Sequence, residues 1–559
     1  MKLPIVLSAI IFCGMSSFSQ ALTLDSLLKS HIELRFGVLM HFNMNTYSPG
    51  WGNDRVNPQI FNPTGLNCAQ WAASAKAAGM KYGVLTAKHH DGFTIWPSQQ
   101  TPPNGKVPYT IAQSSTPTLD VVKSYTDAFR AAGLLPGLYF SMWDVANGIT
   151  GWSTAERTFV LGQLTELLNG AYGQIPILMI DGYDWKMGHK TIPYQQIRDT
   201  VKKMQPNCLL TDMNGLMSPW ECDIIFVEEP KGLYCPSGNT FAACQSPTIS
   251  NGWFWDNSAA SAGSLMSLST IISHLNTLEP RYCNLLLNCP PNRSGVFDAA
   301  LVTRLAEVGA AWKPNASRAP LPAQMANIEH PITPVSATAS SGTAANTIDG
   351  FSDCASSTQQ AYCTSPSQTL WTAPVGVYVT LDLGSIVQNI GILGYLPSAN
   401  STTGAITGYT ISTSINNTAY TQVASGTWPV SMNYRTVTFA PTAARYVRLT
   451  ATAASGGSTV VASEIDVGVT PATPITVNTK GKHVESPPSF ATATYRTIGE
   501  KFVIPVEYAG KALDIAVFDL SGKPVREATI EKNALDLSEG RRMPGGLYIV
   551  KIKLKKGSE

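Results

Sequence analysis

The feature that most constrains this chain is a repeated alternation, from about Leu28 to Trp312, of short apolar runs with amphipathic stretches. The clearest run is Ile177-Leu178-Met179-Ile180, four large apolar residues that meet Asp181 and then Gly182. An uninterrupted run of this kind reads as a strand buried on both faces, as in a parallel sheet. Strands are predicted over Phe36–Phe42, Tyr82–Lys88, Leu135–Ser141, Ile177–Gly182, Leu209–Asp212, Asp223–Glu229, Gly252–Trp255 and Asn284–Asn288. Helical patterns fall between and after them, over Gln70–Ala78, Val121–Ala132, Thr158–Leu168, Gln195–Met204, Leu265–Leu278 and Asp298–Trp312. Strand alternating with helix, repeated to eight strands, predicts a closed (β/α)₈-type barrel.

The carboxyl ends of these strands carry His41, His89-His90-Asp91, Tyr139, Asp181, Asp212, Glu228 and Asn288. A barrel gathers such scattered positions into one pocket on its carboxyl face. Each residue alone has an ordinary reading, Asp181 as a cap of the following segment for instance. Together they point to a site.

The chemistry that suits them is glycoside hydrolysis, which with retention needs two carboxyl groups roughly 5–5.5 Å apart, one nucleophilic and one acting as acid and then base. Asp181 is the nucleophile candidate. The apolar strand Asp223-Ile224-Ile225-Phe226-Val227 delivers Glu228 and Glu229 to its end, where burial beside another carboxylate would raise one of them. The plainer alternative pairs one Glu with a cation and leaves the other in water. His41, His89 and His90 are candidates for sugar hydroxyls. As metal ligands they fit poorly, because adjacent His89 and His90 should point to different sides of a strand. Trp253-Phe254-Trp255 offers an aromatic wall for the apolar face of a sugar, with helix packing the competing role for Phe254.

The 559 residues exceed one domain, and a net charge of +2 argues against nucleic acid or an anionic membrane as partner. Residues 1–21 read as a secretory signal peptide with Ser19-Gln20-Ala21 at the cleavage site, and no later run is long enough to span a membrane. The expected destination is secretion or the cell surface. Of 10 cysteines nine follow the signal, and export would allow disulfides among Cys222, Cys235, Cys244, Cys283, Cys289, Cys354 and Cys363. The catalytic barrel is expected over residues 22–320. Residues 333–469, rich in Ser, Thr, Ala and Gly, read as a β-sandwich, 470–490 as a proline-rich linker and 491–559 as a small C-terminal β-domain.

Arg35-Phe36-Gly37-Val38-Leu39-Met40-His41-Phe42 and Leu85-Thr86-Ala87-Lys88-His89-His90-Asp91-Gly92-Phe93-Thr94-Ile95-Trp96 resemble the signatures of glycoside hydrolase family 29, the α-L-fucosidases. The similarity covers about Ile32 to Pro314. It implies retaining cleavage of terminal α-L-fucose through a covalent glycosyl-enzyme, without metal or other catalytic cofactor. It puts the nucleophile on Asp181 and sugar contacts on His41, His89, His90, Tyr139, Trp51 and Trp253. For the acid/base the interval favours Glu228, with Glu229 in reserve. Two positions depart from the family pattern: Gly50 where many members have an acidic residue, and Met213 where many carry arginine. α-L-Galactosides are an alternative substrate, since a pocket that only packs a methyl group rejects an added hydroxyl weakly. Two rival readings are a carbohydrate-binding protein with an inactive barrel and a metal-dependent hydrolase.

Leu381-Asp382-Leu383-Gly384, Tyr434-Arg435 and Arg445-Tyr446-Val447-Arg448-Leu449 resemble discoidin-like domains of the coagulation-factor type C fold. That resemblance implies a carbohydrate ligand and a structural calcium as expectations, with no ligand set fixed. Val517-Phe518-Asp519-Leu520-Ser521-Gly522-Lys523 and Pro544-Gly545-Gly546-Leu547-Tyr548 resemble bacterial type IX sorting domains.

Overall fold

The computed structural model describes residues 22–50, 55–182, 194–212, 222–324, 328, 331–350, 370–398 and 401–470, with six short strands beyond 496. The signal and linker expectations lie outside them.

Eight parallel strands build the first region: β1 (Phe36–Met40), β2 (Tyr82–Lys88), β3 (Leu135–Ser141), β4 (Ile177–Asp181), β5 (Leu209–Asp212), β6 (Ile225–Glu228), β7 (Ala243–Ser246) and β8 (Cys283–Asn288). Their order is β5-β4-β3-β2-β1-β8-β7-β6. A single parallel bridge, Thr211 to Ile224, joins the two ends of that order and brings the sheet round to a nearly closed barrel. The helices are α1 (Leu24–Ile32), α2 (Cys68–Ala77), α3 (Val121–Ala131), α4 (Thr154–Leu168), α5 (Tyr194–Met204), α6 (Leu268–Leu278) and α7 (Ala299–Ala311). Side chains satisfy their first free amides: Asp120 caps α3, and Ser153 with Glu156 forms a capping box on α4.

Alternate residues of each strand face opposite ways. Leu39, Tyr82, Val84, Tyr139, Ile177, Met179, Phe226 and Leu286 fill the interior, while Val38, Met40, Leu138, Phe140, Leu178 and Ile180 pack under the helices. At Gly37 a methyl group would lie 2.5 Å from the Tyr82 ring, so only glycine lets this aromatic fill the barrel floor.

The sequence misplaced one strand. Residues 252–255 were expected to form the seventh, but Ala243–Ser246 does, paired with β6 and β8. The run Ala242-Ala243-Cys244 lacks the large apolar residues that mark the other strands. Phe254 instead bridges to His41, which carries its segment over the barrel's carboxyl end.

In the β-sandwich, β11 (Tyr378–Leu396), β12 (Ile406–Ser414), β13 (Thr421–Thr427), β14 (Arg435–Ala454) and β16 (Glu464–Val469) form an antiparallel sheet in the order β13-β12-β14-β11-β16. β9 (Ser336–Ala339) adds to β11, and β10 (Trp371–Pro374) pairs with β15 (Thr459–Ala462). Trp371, Leu381, Leu393, Ile411, Val447 and Ile465 are central to its core. Asp382 and Arg445, from two of the motifs, meet in a bidentate pair at 2.8 and 2.9 Å. The tail is a separate unit. Its described strands form two three-stranded sheets, one of Thr497–Ile498, Lys501–Val503 and Ala534–Asp536, the other of Leu513–Phe518, Pro524–Ile530 and Ile549–Leu554. Among the described residues no helix is long and apolar enough to cross a membrane.

Disulfides were anticipated, but Cys68, Cys208, Cys235, Cys244, Cys283 and Cys289 are buried free thiols. They fill core positions as small apolar side chains. Cys354 and Cys363 lie outside the described residues.

Candidate active site

Asp181 ends β4, facing the barrel axis in step with Ile177 and Met179. Its Oδ2 accepts from the Tyr139 hydroxyl at 2.5 Å, and its Oδ1 lies 2.5 Å from the Gly182 N–H. Burial, then the charge of Asp181, holds Tyr139 well above the usual phenol range, so the hydroxyl keeps its proton and donates. Gly182 sits at φ 78°, and a methyl group there would approach Ser141 Oγ to 2.8 Å and Trp143 Cβ to 3.0 Å. The Asp-Gly pair is therefore required by the turn as well as by the carboxylate.

His41 directly follows β1 and is buried. Asn288, from the end of β8, donates through Nδ2 to the Trp253 carbonyl at 2.8 Å, which leaves its Oδ1 to accept. His41 Nδ1 therefore donates to Asn288 Oδ1 at 2.8 Å, and Nε2 of the neutral ring is an acceptor. Burial pushes this imidazole down to about 4, against the opposing pull of Asn288 and Asp181.

His89 and His90 do not diverge as alternation predicts; their ring centroids are 4.2 Å apart. The strand ends at Lys88 and His90 already lies in a turn, so alternation no longer governs the pair. A register irregularity between Thr86 and Lys88, where Thr86 pairs with Tyr139 and Lys88 with Phe140, shifts the parity just before it. The extra residue turns Lys88 outward and His89 inward. His89 stacks on Tyr139 at 5.6 Å with 9° between planes and meets Phe254 edge-on at 4.9 Å. Burial, reinforced by its two histidine neighbours, keeps it neutral. His90 Nε2 lies 3.6 Å from Asp181 Oδ2.

Lys88 is fully buried beneath this turn. It pairs with Asp144 at 3.1 Å, donates to Gln163 at 2.9 Å and lies 4.2 Å from the centre of the Phe140 ring. Asp144 also accepts from Asn147, while Asp91 accepts from Asn45 at 2.8 Å and from the Phe93 N–H at 2.7 Å. Burial pushes Asp91 up to about 7. Of the signature, Asp91 thus ties down the loop, and Lys88 beneath it is paired because an unpaired charge at such depth would be expensive.

At the end of β6 the neighbouring glutamates part. Glu228 continues the inward face of Ile224 and Phe226 and is buried. Burial raises it to about 7, with Asp181's charge adding to the rise and Lys231, 2.7 Å from Oε2, opposing it. Glu229 turns away into a short 3₁₀ turn, accepting from Gln245 at 2.7 Å and contacting His274 of α6 at 2.9 Å.

Trp253 lies over the pocket, 5.0 Å from His41 between ring centroids, and Phe254 packs edge-on against the same imidazole at 5.2 Å. Trp51 and the side chain of Asp212 lie outside the described residues. Sequence reasoning did not weigh Ser141, Trp143 or Lys231. The strand-end position of Ser141 was the one available signal. Among the described residues no three His, Cys, Asp or Glu side chains form a group able to hold a metal ion.

The family model described as alpha-L-fucosidase matches residues 20–317, and that of the F5/8 type C domain matches residues 331–465. Alpha-L-fucosidase 1 of Arabidopsis thaliana is 31% identical over 329 residues, 51% of this chain and 62% of its own length. The alpha-L-fucosidase of Dictyostelium discoideum is 24% identical over 263 residues, 43% of this chain and 52% of its own. The chain thus spans less than two thirds of each. Among solved structures, alpha-L-fucosidase isoenzyme 1 from Paenibacillus thiaminolyticus is similar at 23% identity and a TM-score of 0.44, over 52% of this chain and 76% of that one.

Proposed function

The chain belongs to the alpha-L-fucosidase family, whose model matches more than half of it, and from that premise we propose that it is a retaining α-L-fucosidase acting on terminal α-L-fucose of oligo- or polysaccharides. The observation that carries the proposal is the contrast between two inward carboxyls on one barrel face: Asp181 ringed by donors, Glu228 buried and raised to about 7.

In this mechanism Asp181 attacks the anomeric carbon and forms a glycosyl ester as the bond to the leaving oxygen breaks. Glu228, protonated near neutrality, gives its proton to that oxygen. The resulting carboxylate takes a proton from water, whose oxygen attacks the anomeric carbon and releases Asp181. Tyr139 and the Gly182 N–H hold the nucleophile in one orientation, which lowers the entropy needed to reach the reacting geometry. His41, neutral with Nε2 as acceptor, suits a sugar hydroxyl as donor. Trp253 and Phe254 provide an apolar wall for the C6 methyl group. No catalytic cofactor enters these steps.

The amino-terminal stretch supports export to the cell surface or beyond. A carbohydrate ligand for the sandwich is a further part of the reading, and so is a structural calcium there.

The test is a panel of α-L-fucosides and α-L-galactosides, with early products followed by NMR. Release of α-L-fucose as the first anomer supports retention. First release of the β-anomer removes the covalent intermediate, and binding without turnover removes the enzyme assignment.

A further inference from the structure

Ser141 ends β3 opposite Asp181 in the strand register, and its hydroxyl is committed. It donates to the Trp143 carbonyl at 2.7 Å, so its one proton is used. The same oxygen lies 2.7 Å from His90 Nδ1 and can only accept there. His90 Nδ1 must therefore carry a proton. The other ring nitrogen, Nε2, faces Asp181 Oδ2 at 3.6 Å. Were the ring neutral, a lone pair on Nε2 would oppose a carboxylate oxygen in a buried site.

We propose that Ser141 is a positioning residue that, by accepting from Nδ1, holds His90 as an imidazolium with its Nε2–H turned to Asp181. The proposal rests on the reading of Asp181 as nucleophile for its catalytic meaning, though the protonation pattern stands on geometry alone. The surroundings restrict the ring further. The Val145 N–H donates to the His90 carbonyl at 3.0 Å, Trp143 packs 5.3 Å away between ring centroids, and the Met142 N–H bonds the Asp181 carbonyl at 2.7 Å. Among the described residues, the charged and titratable groups seen against this ring include Asp181 from β4 and His89 from its own loop. A positive His90 accords with the neutrality of His89, which that charge helps to enforce after burial. In the reaction, formation of the glycosyl ester removes the negative charge of Asp181. The imidazolium would then favour the step that restores it, the hydrolysis of that ester.

The experiment follows the ring nitrogens of ¹⁵N-histidine-labelled full-length protein by NMR from pH 5 to 9. His90 is assigned among the 8 histidines by its loss in His90→Gln. In the unsubstituted protein both His90 nitrogens are expected to be protonated at pH 7. Ser141→Ala removes one charge-assisted acceptor, and the midpoint of the His90 titration should fall by roughly one to two pH units. Ser141→Thr keeps the hydroxyl and should restore it. On an aryl α-L-fucoside, Ser141→Ala should lower kcat more than it changes KM, with deglycosylation the slowed step. A neutral His90 at pH 7 in the unsubstituted protein, an unmoved titration in Ser141→Ala, or loss in Ser141→Thr equal to that in Ser141→Ala overturns the proposal. If the unsubstituted protein hydrolyses no fucoside while the titration behaves as stated, the functional reading fails and the protonation assignment survives.

Discussion

The ends of β4 and β6 place a carboxyl group each on one face of the barrel and treat them in opposite ways. Asp181 is met by the amide of the next residue and by a hydroxyl and an imidazole from two neighbouring segments. Glu228 is met chiefly by apolar burial, with one lysine against it, and is raised to about 7. Environment rather than residue type thus separates a group fit to attack from one fit to give up a proton. The next residue sharpens the lesson: Glu229 faces outward to Gln245 and His274 and shares neither environment.

The largest effect that would break this comparison belongs to Asp181. Asp181→Gly should lower kcat on an aryl α-L-fucoside by on the order of 10³-fold or more, with external azide partly restoring turnover as a β-fucosyl azide. Near-normal hydrolysis without azide would remove the nucleophile.

Next in size is the pair at β6. Glu228→Gln should cost about 10² to 10⁴ in kcat for a poor leaving group and much less for an activated aryl one, whereas Glu229→Gln should cost less than about tenfold for both. Equal losses, or the reverse order, would move the acid/base away from Glu228.

The smallest expected effect lies in the pH profile. Glu228 must be protonated to donate, so kcat/KM should fall as pH rises through about 7. Lys231 favours the ionised form, so Lys231→Met should carry that alkaline limb upward by about one unit, the low end for such a pair because 29% of the lysine side chain is exposed. A downward movement would mean that the limb reports another group.

Much of this arrangement was legible along the chain. Seven of the eight strands announced themselves by apolar runs, and the polar residues at their ends collected where a barrel must collect them. The alternation of β6 also contained an answer that was left open: Ile224, Phe226 and Glu228 share one parity, which leaves Glu229 with Ile225 and Val227 on the helix side. The run Ala243-Cys244-Gln245-Ser246 lacked that signal, since small and polar residues do not mark a strand even when their backbone pairs on both sides.

What the residues determined by themselves is the periodicity, and with it the barrel and the set of side chains at its mouth. Tertiary structure alone decided the irregularity between Thr86 and Lys88, which turns His89 inward, and the turn after Lys88 that sets His90 beside it. It also decided the burial of Lys88 against Asp144 and the hydroxyl of Ser141 between His90 and the Trp143 carbonyl. The reason is physical. Periodicity is a local property of neighbouring residues, whereas a bulge, a buried ion pair and a shared proton depend on segments some 50 residues apart that meet only once the sheet has closed.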